Sequence, residues 1–245
     1  MRAFEMAIIA DVHGNLWALE AVLADIARRG LKKIVNLGDN ANGPLDPAGA
    51  VDLLRGCGAL HVRGNSDRMT GEGGAAARGS AKFARERLAP EALQWLRDLP
   101  GLLPGEGWVA FHATPSSDEA YFLENIAGGR TVLASREEIA ARLGAIDDSL
   151  ILCGHTHIPR VVRLDDGRTI VNPGSVGLPA YRDEQPSPHG VETGSPHARY
   201  AVVRCEASGW QVEFVAVPYD WKAAGAAARA AGWPEWAGQV ETGCC

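Results

Sequence analysis

The stretch Met6-Ala7-Ile8-Ile9-Ala10-Asp11-Val12-His13-Gly14-Asn15 sets the pattern for the whole chain. Five apolar residues read as a buried strand, which ends at an acid and an imidazole two positions apart. Asn15 is then placed to cap a helix, with Leu16, Leu19, Val22, Leu23 and Ile26 on one face and Gly30 just past its end. A strand that carries polar side chains to its carboxyl end is therefore followed by a helix.

The motif recurs along the chain. Residues 33–37 end at Gly38-Asp39, and residues 59–62 end at Arg63-Gly64-Asn65. Residues 108–111 deliver His112, and residues 150–153 deliver Gly154-His155-Thr156-His157. Helices are expected over 47–54, 81–99 and 136–143. Such alternation predicts parallel strands joined by helical crossovers. Beyond His157 the pattern turns antiparallel. Residues 160–164 and 168–171 flank the turn Asp165-Asp166-Gly167, and residues 200–205 and 211–217 flank Ala207-Ser208-Gly209. An Ala-rich tail with tryptophans reads as helical.

The expected fold class is α/β, with two sheets face to face, helices outside, and functional loops at the carboxyl ends of strands. No internal repeat or linker divides residues 1–245, so one domain is expected. Residues 71–79 read as a Gly/Ala-rich loop, 113–129 as a candidate lid carrying Tyr121 and Phe122, and 182–199 as a polar loop. His61 reads as structural, and His189 and His197 as solvated.

With 46% hydrophobic and 22% charged residues, the composition is that of an ordinary globular protein. No apolar run approaches the roughly 20 residues needed to span a bilayer, so no membrane partner is expected. Five scattered cysteines without a Cys-x-x-Cys pair favour reduced thiols. The first residues lead straight into strand-like sequence rather than a signal-peptide core, and a cytoplasmic location is expected. A net charge of −6 argues against coating nucleic acid through phosphates but leaves small phosphorylated substrates open. Self-association is left open.

Asp11, His13, Asp39, Asn65, His112, His155 and His157 supply two carboxylates, one amide and four imidazoles. That set suffices for two divalent ions sharing a carboxylate, with Asp39 offering an oxygen to each. Such donors suit Mn, Fe, Zn, Co or Ni. Two cations a few ångströms apart can hold the attacking and leaving oxygens of an in-line displacement at phosphorus. Each segment alone has a plainer reading, a turn cap or a core histidine. Five ligand-bearing segments, each after a strand, in a chain with seven histidines, outweigh those readings.

Asp11-Val12-His13-Gly14-Asn15, Gly38-Asp39, Gly64-Asn65-Ser66-Asp67, His112 and Gly154-His155-Thr156-His157 resemble the calcineurin-like metallophosphoesterase superfamily, in its small bacterial and archaeal phosphodiesterase branch. Gly43-Pro44 and the run Asn172-Pro173-Gly174-Ser175-Val176-Gly177 extend the likeness, which covers about residues 6 to 217. The resemblance implies a four-layer α/β/β/α sandwich with two metal ions. One would take Asp11, His13, Asp39 and His157; the other Asp39, Asn65, His112 and His155. It also implies a bridging water or hydroxide as nucleophile and hydrolysis of a small phosphodiester or phosphomonoester. Dinucleoside polyphosphate hydrolysis and a binding scaffold of the same fold are the alternatives.

Many members carry His where this chain has Ser66, and a hydroxyl cannot supply a proton near neutral pH as an imidazole does. Asp67, Asn65 and His155 are therefore the candidate catalytic residues, with Asp67 or a metal-bound water expected to assist the leaving group. Arg63, Asn172, Gly174 and Ser175 are the candidate substrate contacts, through backbone N–H groups of the 172–177 turn and a guanidinium clamp. Arg68 and Arg182 are further clamp candidates.

Overall fold

The computed structural model describes residues 5–207 and 209–245. In chain order the first elements are β1 (Glu5–Ile9), α1 (Leu16–Arg28), β2 (Ile34–Asn36), α2 (Pro47–Gly56), β3 (Leu60–His61), α3 (Asn65–Glu72), α4 (Gly79–Arg85) and α5 (Pro90–Asp98). They are followed by β4 (Leu102–Pro104), β5 (Trp108–Phe111), β6 (Glu124–Ala127), β7 (Arg130–Leu133), α6 (Arg136–Leu143), β8 (Leu150–Leu152), β9 (Arg160–Arg163) and β10 (Thr169–Asn172). The last are β11 (Ala180–Asp183), β12 (His189–Glu192), β13 (Ala198–Glu206), β14 (Gly209–Val217), α7 (Trp221–Ala230) and α8 (Pro234–Thr242).

One sheet has the order β14-β13-β1-β2-β3 and the second β4-β5-β8-β10-β9. In the first, β1 is parallel to β2 and antiparallel to β13. In the second, β8 is parallel to both β5 and β10.

Alternation along β1 explains the layers. Met6 and Ile8 face Trp108, Leu150 and Val171 of the second sheet, while Ala7 and Ile9 face Leu19, Val22 and Ile26 of α1. On the far side, Val109, Phe111 and Ile151 pack on Ile139 and Leu143 of α6. The result is the four-layer α/β/β/α sandwich. Asn15 caps α1 as expected, its Oδ1 accepting the Ala18 N–H at 3.1 Å.

Three expectations need correction. The helix expected over 81–99 is two helices, because Ala89, held extended before Pro90, breaks it (φ −64°, ψ 154°). Residues 113–129 include strand β6, and residues 182–199 include β12. Both belong to a third sheet, β11-β12-β7-β6, whose four-residue strands are too short and polar to show a period. His189 consequently lies buried on β12, 6% exposed, rather than solvated. Strands β13 and β14 pair antiparallel as read; of the turn between them, Ser208 lies outside the described residues. Among the described residues no helix is long and apolar enough to cross a membrane.

Candidate metal centre

Every ligand-bearing loop leaves the carboxyl end of a strand, and the sandwich brings these ends together. Asp11 and His13 follow β1, Asp39 follows β2, Asn65 opens α3 after β3, His112 follows β5, and His155 and His157 follow β8. Gly38 and Gly64 let two of these loops touch. A Cβ on Gly38 would stand 2.4 Å from the Gly64 nitrogen, and one on Gly64 would stand 2.0 Å from Asp39 Oδ1.

The backbone is strained at this point. Among the described residues, the non-glycine positions with positive φ are Asp11 (56°), His13 (51°), Asp39 (57°), His155 (72°) and His157 (59°). All five are proposed ligands. Left-handed backbone costs a non-glycine residue about 1 kcal/mol or more, and it persists where surrounding structure enforces it.

Hydrogen bonds assign the imidazole tautomers. Nδ1 of His13, His112 and His157 lies 2.8, 2.7 and 2.6 Å from the carbonyls of Asn42, Leu37 and Leu178. A carbonyl only accepts, so each Nδ1 donates and each Nε2 presents a lone pair to the centre. His155 is reversed: its Nε2 donates to the Glu119 carbonyl at 2.8 Å, which frees Nδ1.

The inward atoms are thus acceptors facing acceptors. His13 Nε2 stands 3.1 Å from His157 Nε2, and His112 Nε2 stands 3.1 Å from Asn65 Oδ1. Asp39 presents Oδ2 to His13 Nε2 at 3.7 Å and Oδ1 to His112 Nε2 at 3.5 Å, one oxygen to each side. Asp11 Oδ1 lies 3.4 Å from His157 Nε2 and accepts no hydrogen bond although buried. Lone pairs crowded without hydrogens between them repel; a cation among them removes the repulsion. The donor set therefore fits divalent metal. The inward atoms fall into two compact groups, Asp11, His13 and His157, and Asp11, Asp39 and His112.

The electrostatics agree at four of these groups; at His112 burial lowers the ring but Asp39 and Asp11 outweigh it and raise it, so a proton competes there with a cation. Burial pushes the Asp11 carboxyl up, but His157 and His112 outweigh it and hold it below its ordinary value. Burial likewise opposes Asp39, yet His112 and His13 bring it down to about 2. Burial and neighbouring imidazoles lower His13, and bring His155 down to about 4. Both carboxylates stay charged and these two rings stay neutral, as ligands must.

The remaining candidates fall outside this ring of donors. Asp67, fully buried, accepts N–H groups from Asp39 (2.9 Å), Asn40 (2.8 Å) and Gly64 (3.0 Å), and the Asn40 amide at 2.8 Å. Its carboxylate faces the backbone behind Asp39 rather than a substrate. Asn172 donates to the Gly154 carbonyl and accepts the Gly174 N–H, and Ser175 donates to the Asp11 carbonyl. Both side chains are 1% exposed and brace the ligand loops. Arg63 donates to the Arg97 carbonyl and lines a groove beside His112. Arg68 pairs with Asp118 and Glu119, and Arg182 lines a separate cavity with Arg130.

Sequence reasoning placed Tyr121 in a candidate lid but missed Trp236, Tyr181 and the burial of His189. Trp236 on α8 sets its ring 6.0 Å from His13, edge to face. Tyr181 packs on His157 (4.7 Å), Tyr121 packs on His155 (5.2 Å), and the two hydroxyls are 2.8 Å apart. His189 Nε2 joins them, 2.7 Å from Tyr121. None follows a strand end with a ligand motif; only the packing of the third sheet and of the tail brings them here.

This fold and ring of donors are those of metal-dependent phosphoesterases. Residues 4–193 match the calcineurin-like phosphoesterase superfamily domain, and the chain belongs to that superfamily. An uncharacterised protein of Methanocaldococcus jannaschii is 31% identical over 259 residues, 96% of each chain. Among solved structures, a metallophosphoesterase from Sphaerobacter thermophilus aligns with a TM-score of 0.77 at 28% identity, covering 99% of this chain and all of that one. A hypothetical protein from Pyrococcus horikoshii aligns at 0.73 and 20% identity over 98% of each chain, a likeness of fold.

Proposed function

We propose that this protein is a two-metal phosphoesterase that hydrolyses a small phosphodiester or phosphomonoester. The observation that carries the reading is the set of inward lone pairs, His13 against His157 and His112 against Asn65, with Asp39 between them. Asp11, His13, Asp39 and His157 would hold one ion, and Asp39, Asn65, His112 and His155 the other. When bound, such ions act as Lewis acids on phosphoryl oxygens and bring the pKa of water towards neutrality.

The chain's own residues do the positioning. The carbonyls of Asn42, Leu37, Leu178 and Glu119 fix the four rings, and Asp67 holds the Asp39 backbone in its left-handed turn. Ser66 donates its N–H to Asp39 Oδ1 at 3.0 Å, while its hydroxyl has no partner and cannot replace an imidazole acid. With Asp67 turned away, leaving groups of low pKa are favoured.

Elemental analysis of the purified protein, with manganese-dependent rates on bis-p-nitrophenyl phosphate, p-nitrophenyl phosphate and a diadenosine polyphosphate, tests the reading. About two metal equivalents and turnover of one of the simple esters are expected. Stoichiometric metal without turnover of any ester would leave a binding scaffold instead.

A further inference from the structure

The proposed donors look out on a small vestibule of about 170 Å³, whose apolar lining is Met69, Leu178, Tyr181 and Trp236. Asp183 is the one charged residue of that lining outside the donor set. Trp236 reaches the vestibule from the far end of the chain. Ala237 and Val240, both fully buried, hold α8 against Ala224 and Ala228 of α7. Trp236 leaves the same helix half-buried, packed on the cluster that contains Leu45 and Leu178. Gly43 makes room for it: a Cβ there would stand 3.0 Å from Trp236 Cζ3 and 2.0 Å from the His13 carbonyl oxygen. The indole is thereby set beside a proposed ligand, 6.0 Å from the His13 ring with 69° between the planes.

The other aromatic rings at the centre are taken up by one another. Tyr181 packs on His157 and Tyr121 on His155, both lie against His189 (6.4 and 5.4 Å), and their hydroxyls bond to each other. Among the described residues, Trp236 meets one ring only, that of His13. A half-buried indole at the mouth of the donor ring still has apolar area to cover, and a flat ring covers it best.

We propose that Trp236 determines specificity for the organic arm of the ester: an uncharged aromatic arm stacks on its indole while the phosphoryl group sits among the donors. The inference rests on the phosphoesterase reading and narrows its substrate class to phosphate esters with an aromatic arm. Stacking of one ring on an aromatic side chain is worth about tenfold in affinity.

Phenyl-, cyclohexyl- and methylphosphonate test this by calorimetric titration into the manganese-loaded protein. They share one head group, and their uncharged arms meet Asp183 alike. Each variant is compared with the parent on the same phosphonate, which cancels differences in head-group basicity. Trp236→Ala should weaken phenylphosphonate about tenfold and methylphosphonate less than about twofold. Trp236→Phe should keep the preference for the flat phenyl ring over the puckered cyclohexyl ring, and Trp236→Leu should lose it. A residue that only packs would weaken manganese and all three phosphonates together. That result, an Ala variant that binds phenylphosphonate as the parent does, or no binding of phenylphosphonate at all would overturn the proposal. If the Ala variant does not fold, the other two decide, and an equal phenyl preference in Phe and Leu overturns it. Hydrolysis of esters without any ring preference leaves the phosphoesterase reading intact and sinks the role of Trp236. If the preference depends on Trp236 but no phosphate ester is hydrolysed with any divalent metal, the phosphoesterase reading falls and the stacking assignment stands.

Discussion

Asp67 Oδ2 accepts the backbone N–H of Asp39 at 2.9 Å, and Asp39 turns through left-handed backbone to offer one oxygen to His13 and the other to His112. The acid of the Gly-Asn-Ser-Asp run thus orients the Asp39 carboxylate of the donor ring. Burial and Asp39 push Asp67 up to about 7, against the pull of the N–H groups of Gly64 and Asn40.

Asp67→Asn should therefore weaken metal binding about 10- to 100-fold, the usual effect of losing an outer hydrogen bond to a ligand. Excess manganese should restore most of kcat. A proton donor would behave otherwise: kcat would fall on alkyl esters, stay high on aryl esters, and not return with metal. Rates across manganese concentrations on both ester types separate the two.

Asp39→Asn should lower metal affinity by more than about 100-fold, beyond the range of an outer-shell change. The metal-free variant should be less stable than metal-free parent at neutral pH, since a carboxyl held at about 2 in the folded chain is better stabilised ionised there than in the unfolded chain. In the parent, metal at 100 times Kd adds about 2.7 kcal/mol of stability. Thermal melts with and without manganese check both halves. A metal-induced rise in Tm equal to the parent's would contradict the shared role of Asp39.

Aryl phosphate esters should be hydrolysed faster than alkyl esters by at least about 100-fold, the low end of what general acid catalysis contributes. The reason is that Ser66 stands where an imidazole would and that Asp67 faces the backbone behind Asp39. Equal rates with chemistry rate-limiting would reveal a proton donor elsewhere, and Tyr181 would be the first to substitute.

His61 supplies a pH effect away from the metal. Burial lowers it from 6.5 to about 4, and its Nδ1 accepts from the Asn36 amide at 3.1 Å while its ring abuts Trp95. A folded pKa below the unfolded one means stability is fully present above pH 6.5 and is lost as pH falls towards 4, by at most about 3 kcal/mol. His61→Gln should flatten that slope in urea titrations of metal-free protein. An unchanged slope would place the acid sensitivity elsewhere.

Much of the fold was legible because period and position agree. Residues 6–10 alternate between two buried faces, and Asn15 caps a helix. The convergence of the candidate ligands was legible because each follows a strand of one sandwich, so sequence order predicts spatial proximity. That Asp67 accepts the Asp39 and Asn40 backbone N–H groups was not legible, because adjacency to Asn65 does not reveal which way a first-turn side chain points. That the Asn172 and Ser175 side chains brace the ligand loops was not legible, because a Pro-Gly turn beside a site carries no sign of which loops its side chains bond. His189 and the third sheet escaped notice because four-residue strands carry no readable period.

By itself, the amino-acid sequence determined the order of two facing sheets and the seven candidate donors, because strand period and strand-end chemistry are local properties of the chain, and the resemblance of its motifs pointed to the superfamily. Tertiary structure alone decided which nitrogen each histidine presents and that five of the proposed ligands sit in left-handed backbone. It also decided that Trp236, Tyr181 and Tyr121 wall the centre. Those features depend on hydrogen bonds and packing between residues as far apart as 13 and 236, which no local pattern encodes.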